Sequence, residues 1–256
     1  MCEIFGYSAK NACEINEYLK KFFSRSCAHP HGWGLACADG DWFCVEKEPV
    51  QASKSKRLAG RLLAPVSSRC VLAHIRYATI GNVESKNCHP YTREDRTGRR
   101  YVLIHNGTIF DFPPLNKYVK CQEGETDSER ILLYIVDKIN AANENRSVPM
   151  DGKERFEVIE CALRNMARGN KLNIMIFDGE NLFVHTNFKD SLFYLKRDDD
   201  MIISTEPLGA GFKPFPFCRV MAVRDGEFAL YGKKHDNEYF ESEEDLRFLY
   251  QAFAQL

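Results

Sequence analysis

The hydrophobic periodicity of this chain changes twice, and that order limits the folds open to it. Short apolar or alternating runs come first, and residues 2–8 (CEIFGYS), 70–77 (CVLAHIRY) and 101–105 (YVLIH) read as strands. Two long segments with helical spacing follow, at 127–141 (DSERILLYIVDKINA) and 154–167 (ERFEVIECALRNMA). Strand-like segments then return in quick succession at 172–177, 182–186, 191–195, 201–204, 218–223 and 227–231, with Asp178-Gly179 and Asp225-Gly226 as turn signals. Strict β-α-β alternation, the mark of a doubly wound parallel sheet, is absent. The order predicts an α+β fold with two antiparallel sheets and helix layers outside them.

Smaller elements fill the gaps. Residues 14–23 (EINEYLKKFF) and 55–64 have helical spacing, with Asn11 as a candidate cap for the first, and 243–255 reads as a closing helix. Segments 32–38 and 42–46 flank Asp39-Gly40-Asp41 and predict a hairpin. The basic stretch holding Arg93, Arg96, Arg99 and Arg100 reads as a solvated hairpin tip. With 256 residues, no internal repeat and no linker-like segment, a single domain spanning 1–256 is expected.

Charge and composition exclude several roles. Lys plus Arg number 35 against 36 Asp plus Glu, a net charge of −1, so neither nucleic acid nor an anionic membrane is expected as partner. No apolar run approaches the ~20 residues of a membrane span. The start, Met1-Cys2-Glu3-Ile4-Phe5-Gly6, lacks the basic and apolar regions of a signal peptide. A cytoplasmic protein is therefore expected, in a compartment where thiols stay reduced. The ten cysteines are scattered with no C-x-x-C pair, so most are expected as small buried hydrophobes. His29, His31, His74, His89 and His105 match no standard zinc spacing, and no metal or cofactor is expected.

Cys2 stands apart because of its place. Removal of Met1 would make it the N-terminal residue, with an α-amine of pKa about 7.7–8.0 beside a thiol of about 8.5. The neutral amine can then take the thiol proton, and the thiolate is the nucleophile. A thiolate attacking a carboxamide creates an oxyanion that needs preorganised N–H donors. Asn106-Gly107, just past the strand at 101–105, can supply a side-chain and a backbone N–H. Arg76 can hold a carboxylate bidentately, and Asp127, opening a helix, can hold an ammonium. Alone, each also has an ordinary structural reading: an Asn-Gly turn, a surface Arg, a helix-start Asp.

Together, Cys2-Glu3-Ile4-Phe5-Gly6, His74-Ile75-Arg76-Tyr77-Ala78-Thr79, Cys88-His89-Pro90-Tyr91, His105-Asn106-Gly107 and Thr126-Asp127-Ser128-Glu129 resemble, in order and rough spacing, the class II glutamine amidotransferases. The resemblance covers residues 2–129. It implies the four-layer αββα N-terminal-nucleophile hydrolase fold. It also implies Cys2 as nucleophile, Asn106 and Gly107 as oxyanion hole, and Arg76, Thr79 and Asp127 as glutamine-binding residues. His74, His89 and His105 are expected as supports, with His89 and His105 tying the site's backbone through hydrogen bonds. Trp33 is a candidate wall for the substrate, set against an ordinary core role.

Pro30-His31-Gly32-Trp33-Gly34-Leu35 departs from the segment of the larger synthases. It is similar to the standalone branch of the family, with His31 where that branch usually has Asp. The branch includes amidases that remove glutamate from γ-glutamyl thiol compounds. Three activities follow as expectations: a glutaminase that releases glutamate and ammonia, with a partner synthase subunit as candidate acceptor; a standalone amidase for γ-glutamyl amides or peptides; and a non-catalytic glutamine-binding subunit. The bile-salt and penicillin acylases share a Cys2 nucleophile but lack the Asn-Gly and Asp-Ser-Glu set.

Overall fold

A computed structural model describes residues 2–39 and 42–253. In chain order the elements are β1 (Glu3–Glu14), α1 (Asn16–Ser24), β2 (Trp33–Asp39), β3 (Trp42–Glu48), α2 (Lys56–Arg61), β4 (Ser67–Ile75), β5 (Tyr91–Glu94), β6 (Arg100–Thr108), α3 (Asp127–Asn143) and α4 (Gly152–Met166). They continue with β7 (Lys171–Phe177), β8 (Leu182–Thr186), β9 (Phe193–Lys196), β10 (Asp200–Ser204), β11 (Lys213–Pro214), β12 (Arg219–Arg224), β13 (Glu227–Tyr231) and α5 (Glu243–Phe253). Among the described residues no helix is long and apolar enough to cross a membrane.

The strands form two antiparallel sheets, as the order of periodicities predicts. The first runs β11-β9-β10-β1-β4-β2-β3 and the second β13-β12-β8-β7-β6-β5. Period-two alternation explains how they stack. On β1, Ile4 points toward the second sheet while Phe5, Tyr7 and Ala9 pack outward with Leu19 and Phe22 of α1 and Leu58 of α2. On β6, Val102 and Ile104 point inward while Tyr101 and Leu103 pack with Ile131 and Ile135 of α3 and Ile159 and Leu163 of α4. The inner layer joins Ile4 and Leu72 of one sheet to Ile104, Met175 and Val184 of the other. The result is a helix–sheet–sheet–helix sandwich, in which each fully buried Leu, Ile or Phe contributes about 1.5–3 kcal/mol.

Several local expectations change. Asn11 caps no helix; it lies within β1, which runs on to Glu14. Ile15 takes the cap position with no side-chain bond. Asn16 instead ties the helix start to the 62–66 segment, donating to the carbonyls of Leu62 (3.0 Å) and Ala64 (2.8 Å) and accepting from the Val66 N–H (2.6 Å). The basic stretch is a hairpin, but Arg93 and Arg100 lie on its strands, β5 and β6. At its tip, Asp95 accepts the N–H groups of Thr97 (2.8 Å) and Arg99 (3.1 Å). Strands β2 and β3 pair as predicted, while Gly40 and Asp41 of their turn lie outside the described residues.

The cysteines also differ from expectation. Cys37, Cys70, Cys88 and Cys218 are buried, but Cys13, Cys27, Cys44, Cys121 and Cys161 are exposed. Cys13 sits at the exposed end of β1, Cys44 within the edge strand β3 and Cys161 on α4, while Cys27 and Cys121 lie outside the elements named above.

Candidate active site

The inner faces of β1 and β6 both run past the core at the same end of the sandwich. Two residues before Ile4 the β1 face reaches Cys2; two residues after Ile104 the β6 face reaches Asn106. The half-buried Cys2 Sγ lies 3.3 Å from both the N–H and the carbonyl oxygen of Tyr77, which follows β4. Burial pushes the Cys2 thiol up from its ordinary value; the Tyr77 N–H and the Arg76 charge pull it down, and the Asp127 carboxylate pushes it up. Both predicted substrate-binding charges therefore act on this sulfur.

Asn106 is buried, and its Oδ1 has no hydrogen-bond partner among the described residues. It pairs across the sheet with Asn173, whose amide donates to Ser191 Oγ (2.8 Å) and accepts from Thr186 Oγ1 (2.8 Å). Gly107 is required where it stands, because a Cβ there would lie 2.0 Å from the Lys171 carbonyl oxygen and 2.5 Å from His105 Nε2. His105 holds this strand end: Nδ1 is 3.0 Å from Ser128 Oγ and Nε2 is 3.4 Å from the Lys171 carbonyl. Burial lowers the His105 pKa, with Asp127 opposing.

Asp127 opens α3 one residue after Thr126, whose side chain caps the helix by accepting the Glu129 N–H. The buried Asp127 carboxylate accepts the Ile109 N–H (2.9 Å) and the Ser128 hydroxyl (3.3 Å). It therefore joins the start of α3 to the segment after Asn106-Gly107.

Arg76 is buried, and its guanidinium donates to the carbonyls of Ile80 (3.0 Å), Gly81 (2.8 Å) and Asn82 (2.9 Å). It shapes the loop that carries the half-buried Thr79. His31 Nδ1 accepts the Ala78 N–H at 2.9 Å, and its ring lies 5.2 Å from that of Tyr77. His31 thus braces the backbone beside Cys2. Burial and the Arg76 charge lower its pKa. His29 is also buried, with Nδ1 3.2 Å from the Arg25 carbonyl.

The buried rings of His74 and His89 lie with centroids 4.0 Å apart, tilted by 31°, and burial holds both well below the usual histidine range. His89 was expected to act through hydrogen bonds. Neither of its ring nitrogens has a partner among the described residues; it supports the site by packing on His74 and, edge-on at 4.8 Å, on Tyr91. The two backbones also touch: a Cβ at Gly34 would lie 1.8 Å from the His89 carbonyl oxygen.

Trp33 is not a substrate wall. It pairs with Ile75 and shares its outward face, opposite the face of Cys2, and it is fully buried. Its ring meets Phe23 edge-on at 6.1 Å and its indole N–H donates to Glu48 at 3.0 Å. Contacts that sequence reasoning did not single out are the Tyr77 backbone, Asn173, Asn87 and Glu125. Tyr77 lies inside the motif at residues 74–79, while Asn87, just before Cys88-His89-Pro90-Tyr91, and Glu125, just before Thr126-Asp127, adjoin one.

A family model described as Glutamine amidotransferases class-II matches residues 1–201. Uncharacterized protein MJ1515 of Methanocaldococcus jannaschii is 27% identical, over 91% of this chain and 72% of that protein. The crystal structure of a predicted glutamine amidotransferase from Pseudomonas aeruginosa PA01 has a TM-score of 0.68 at 22% identity, covering 90% of this chain and 100% of that one. Glutamine phosphoribosylpyrophosphate amidotransferase from B. subtilis has a TM-score of 0.64 at 17% identity, covering 88% of this chain and 47% of that one. At these identities the two structures speak to the fold, which they share with this chain. The family match spans the thiol, the Asn-Gly strand end and the helix-start carboxylate described above, and the chain belongs to the class-II glutamine amidotransferases.

Proposed function

We propose that this protein hydrolyses the side-chain amide of glutamine, or the γ-amide of a related γ-glutamyl compound, with Cys2 as nucleophile. The observation that carries the reading is the Cys2 Sγ held 3.3 Å from the backbone of Tyr77, one residue past the buried Arg76, with the Arg76 and Asp127 charges both acting on it. One is suited to an α-carboxylate and the other to an α-ammonium.

In this reading Met1 is removed and the freed α-amine takes the Cys2 proton. The thiolate attacks the γ-carboxamide carbon, forming a carbon–sulfur bond. The resulting oxyanion is held by the Asn106 side-chain amide and the Gly107 N–H. The α-ammonium returns its proton to the departing nitrogen, and ammonia or a larger amine leaves as the tetrahedral intermediate collapses to a γ-glutamyl thioester. Water then cleaves the carbon–sulfur bond, giving glutamate and restoring the thiol. Arg76 and the loop it organises, with Thr79, take the substrate carboxylate, and Asp127 takes the ammonium. Ammonia transfer to a partner synthase subunit belongs to the same reading, and the protein acts in the cytoplasm without a cofactor.

Incubation with the glutamine analogue 6-diazo-5-oxo-norleucine followed by adduct mapping tests this directly. A single adduct on Cys2, prevented by excess glutamine, is expected. An adduct on another residue overturns the assignment of the nucleophile.

A further inference from the structure

The two charges assigned to the substrate lie on separate segments. Arg76 and Thr79 belong to a loop running from the end of β4 to Asn87, and Asp127 follows a second loop at residues 120–126. A small polar cluster joins them. Glu125 Oε2 accepts the Asn82 N–H (2.9 Å) and the Asn87 side-chain amide (2.8 Å). The Asn87 amide also donates to the Asn82 carbonyl (3.0 Å), and Asn87 Oδ1 accepts the Glu125 N–H (2.8 Å). The Asn82 carbonyl is the same oxygen that Arg76 Nη1 reaches at 2.9 Å. Asn87 is fully buried, whereas 41% of the Glu125 side chain is exposed.

Close packing allows the clasp little slack. A Cβ at Gly124 would lie 2.5 Å from Asn87 Oδ1, and one at Gly81, where φ is +78°, would lie 3.0 Å from Asn87 Nδ2. Glu129 fixes the second loop from the other side, accepting the N–H groups of Glu123 (2.7 Å) and Gly124 (2.8 Å). A continuous path of hydrogen bonds therefore runs from the Arg76 guanidinium through Asn82, Asn87 and Glu125 to within two residues of Asp127.

We propose that Asn87 and Glu125 are positioning residues that set the distance between the carboxylate-binding and ammonium-binding halves of the substrate site. The inference rests on the glutaminase reading above. Neither residue touches the reacting atoms, so the clasp acts on amino-acid binding and leaves the thiol chemistry in place.

The test uses the full chain and the variants Glu125→Ala and Glu125→Gln, at a position exposed enough for both to fold. Glu125→Ala removes the acceptor for the Asn82 N–H and for the side-chain amides of Asn82 (3.5 Å) and Asn87, together with the Lys86 ion pair at 3.9 Å; hydrogen bonds to charged groups of this kind correspond to about a 10- to 100-fold effect. A rise in KM for glutamine of that size is expected, with kcat within about threefold of the parent. Glu125→Gln keeps one carbonyl oxygen and recovers most of the KM.

Alkylation of Cys2 by iodoacetamide, which does not use the amino-acid subsites, should be unchanged in both variants, while inactivation by diazo-oxo-norleucine slows in Glu125→Ala alone. Unchanged KM in Glu125→Ala, or an equal loss in KM and kcat without rescue by Gln, overturns the clasp. Failure of the parent protein to react with diazo-oxo-norleucine at Cys2 overturns the glutaminase reading instead.

Discussion

Asn106 carries a buried oxygen with no protein partner among the described residues, so its side chain contributes little to holding the strand end. Asn106→Ala is therefore expected to lower the rate of glutamine hydrolysis by about 10²–10³ with little change in thermal stability. Steady-state rates and a thermal melt check both halves, and a parent-like rate removes Asn106 from the oxyanion hole. Cys2 makes a second demand. In the proposed mechanism its α-amine is the base, so a variant with one extra, uncleaved residue before Cys2 should lose most activity while remaining folded. Intact mass establishes the N-terminus, and turnover by the blocked form rules out the amine. At this scale the sequence showed which residue types were present but not what they bonded. Arg76 was readable as a cation near the site, but its three donations to Ile80, Gly81 and Asn82 depend on the path of the following loop.

Elements were legible where alternation or helical spacing continued into a buried face. Residues 102–104 and 174–176 alternate between two cores, and α3 and α4 present continuous apolar stripes. Legibility failed where a strand left the core. Residues 10–14 of β1 are exposed and carry no alternation, so its end resembled a helix approach. Trp33 misled because its aromatic character is the same whichever face of β2 it occupies; only the pairing with Ile75 places it outward. Helix α4 is anchored by a feature that periodicity does not reveal. The buried Arg155 donates to Asp178 (2.7 Å), Glu180 (2.6 Å) and the Met150 carbonyl (2.7 Å), linking the helix to the β7–β8 turn. Arg155→Ala leaves the fully buried Asp178 carboxylate without its cation and is expected to cost about 3–5 kcal/mol. Urea unfolding measures this, and a loss below about 1 kcal/mol would show the pair to be dispensable.

Across the whole molecule, neutral histidines are buried at several depths. His185 is held down to about 3 by burial, with its Nδ1 2.8 Å from the Leu172 carbonyl and its Nε2 3.0 Å from His235 Nε2. His74 and His89 are also held well below their ordinary value by burial. The unfolded chain binds protons at these positions below about pH 6.5, while the folded chain resists doing so. Their neutral burial is therefore fully stabilising above about pH 6.5. That stability is lost as pH falls toward the folded values, at up to about 1.4 kcal/mol per pH unit for each histidine. Urea midpoints at pH 7.5, 6.0 and 5.0 should fall in that order; a flat series would show that the histidines protonate without unfolding.

The strand that starts just after Cys2 sits in the middle of its sheet, between β4 and β10. Its partner β10 arrives about 200 residues later, where the Thr205 N–H donates to the Ile4 carbonyl (3.1 Å) and the Ile4 N–H reaches Thr205 Oγ1 (3.3 Å). The strand beside Cys2 therefore gains its second neighbour only once the chain has been made as far as β10. A nascent chain that has already made Arg76, Asn106 and Asp127 still lacks the β10 edge that completes the bed for the nucleophile.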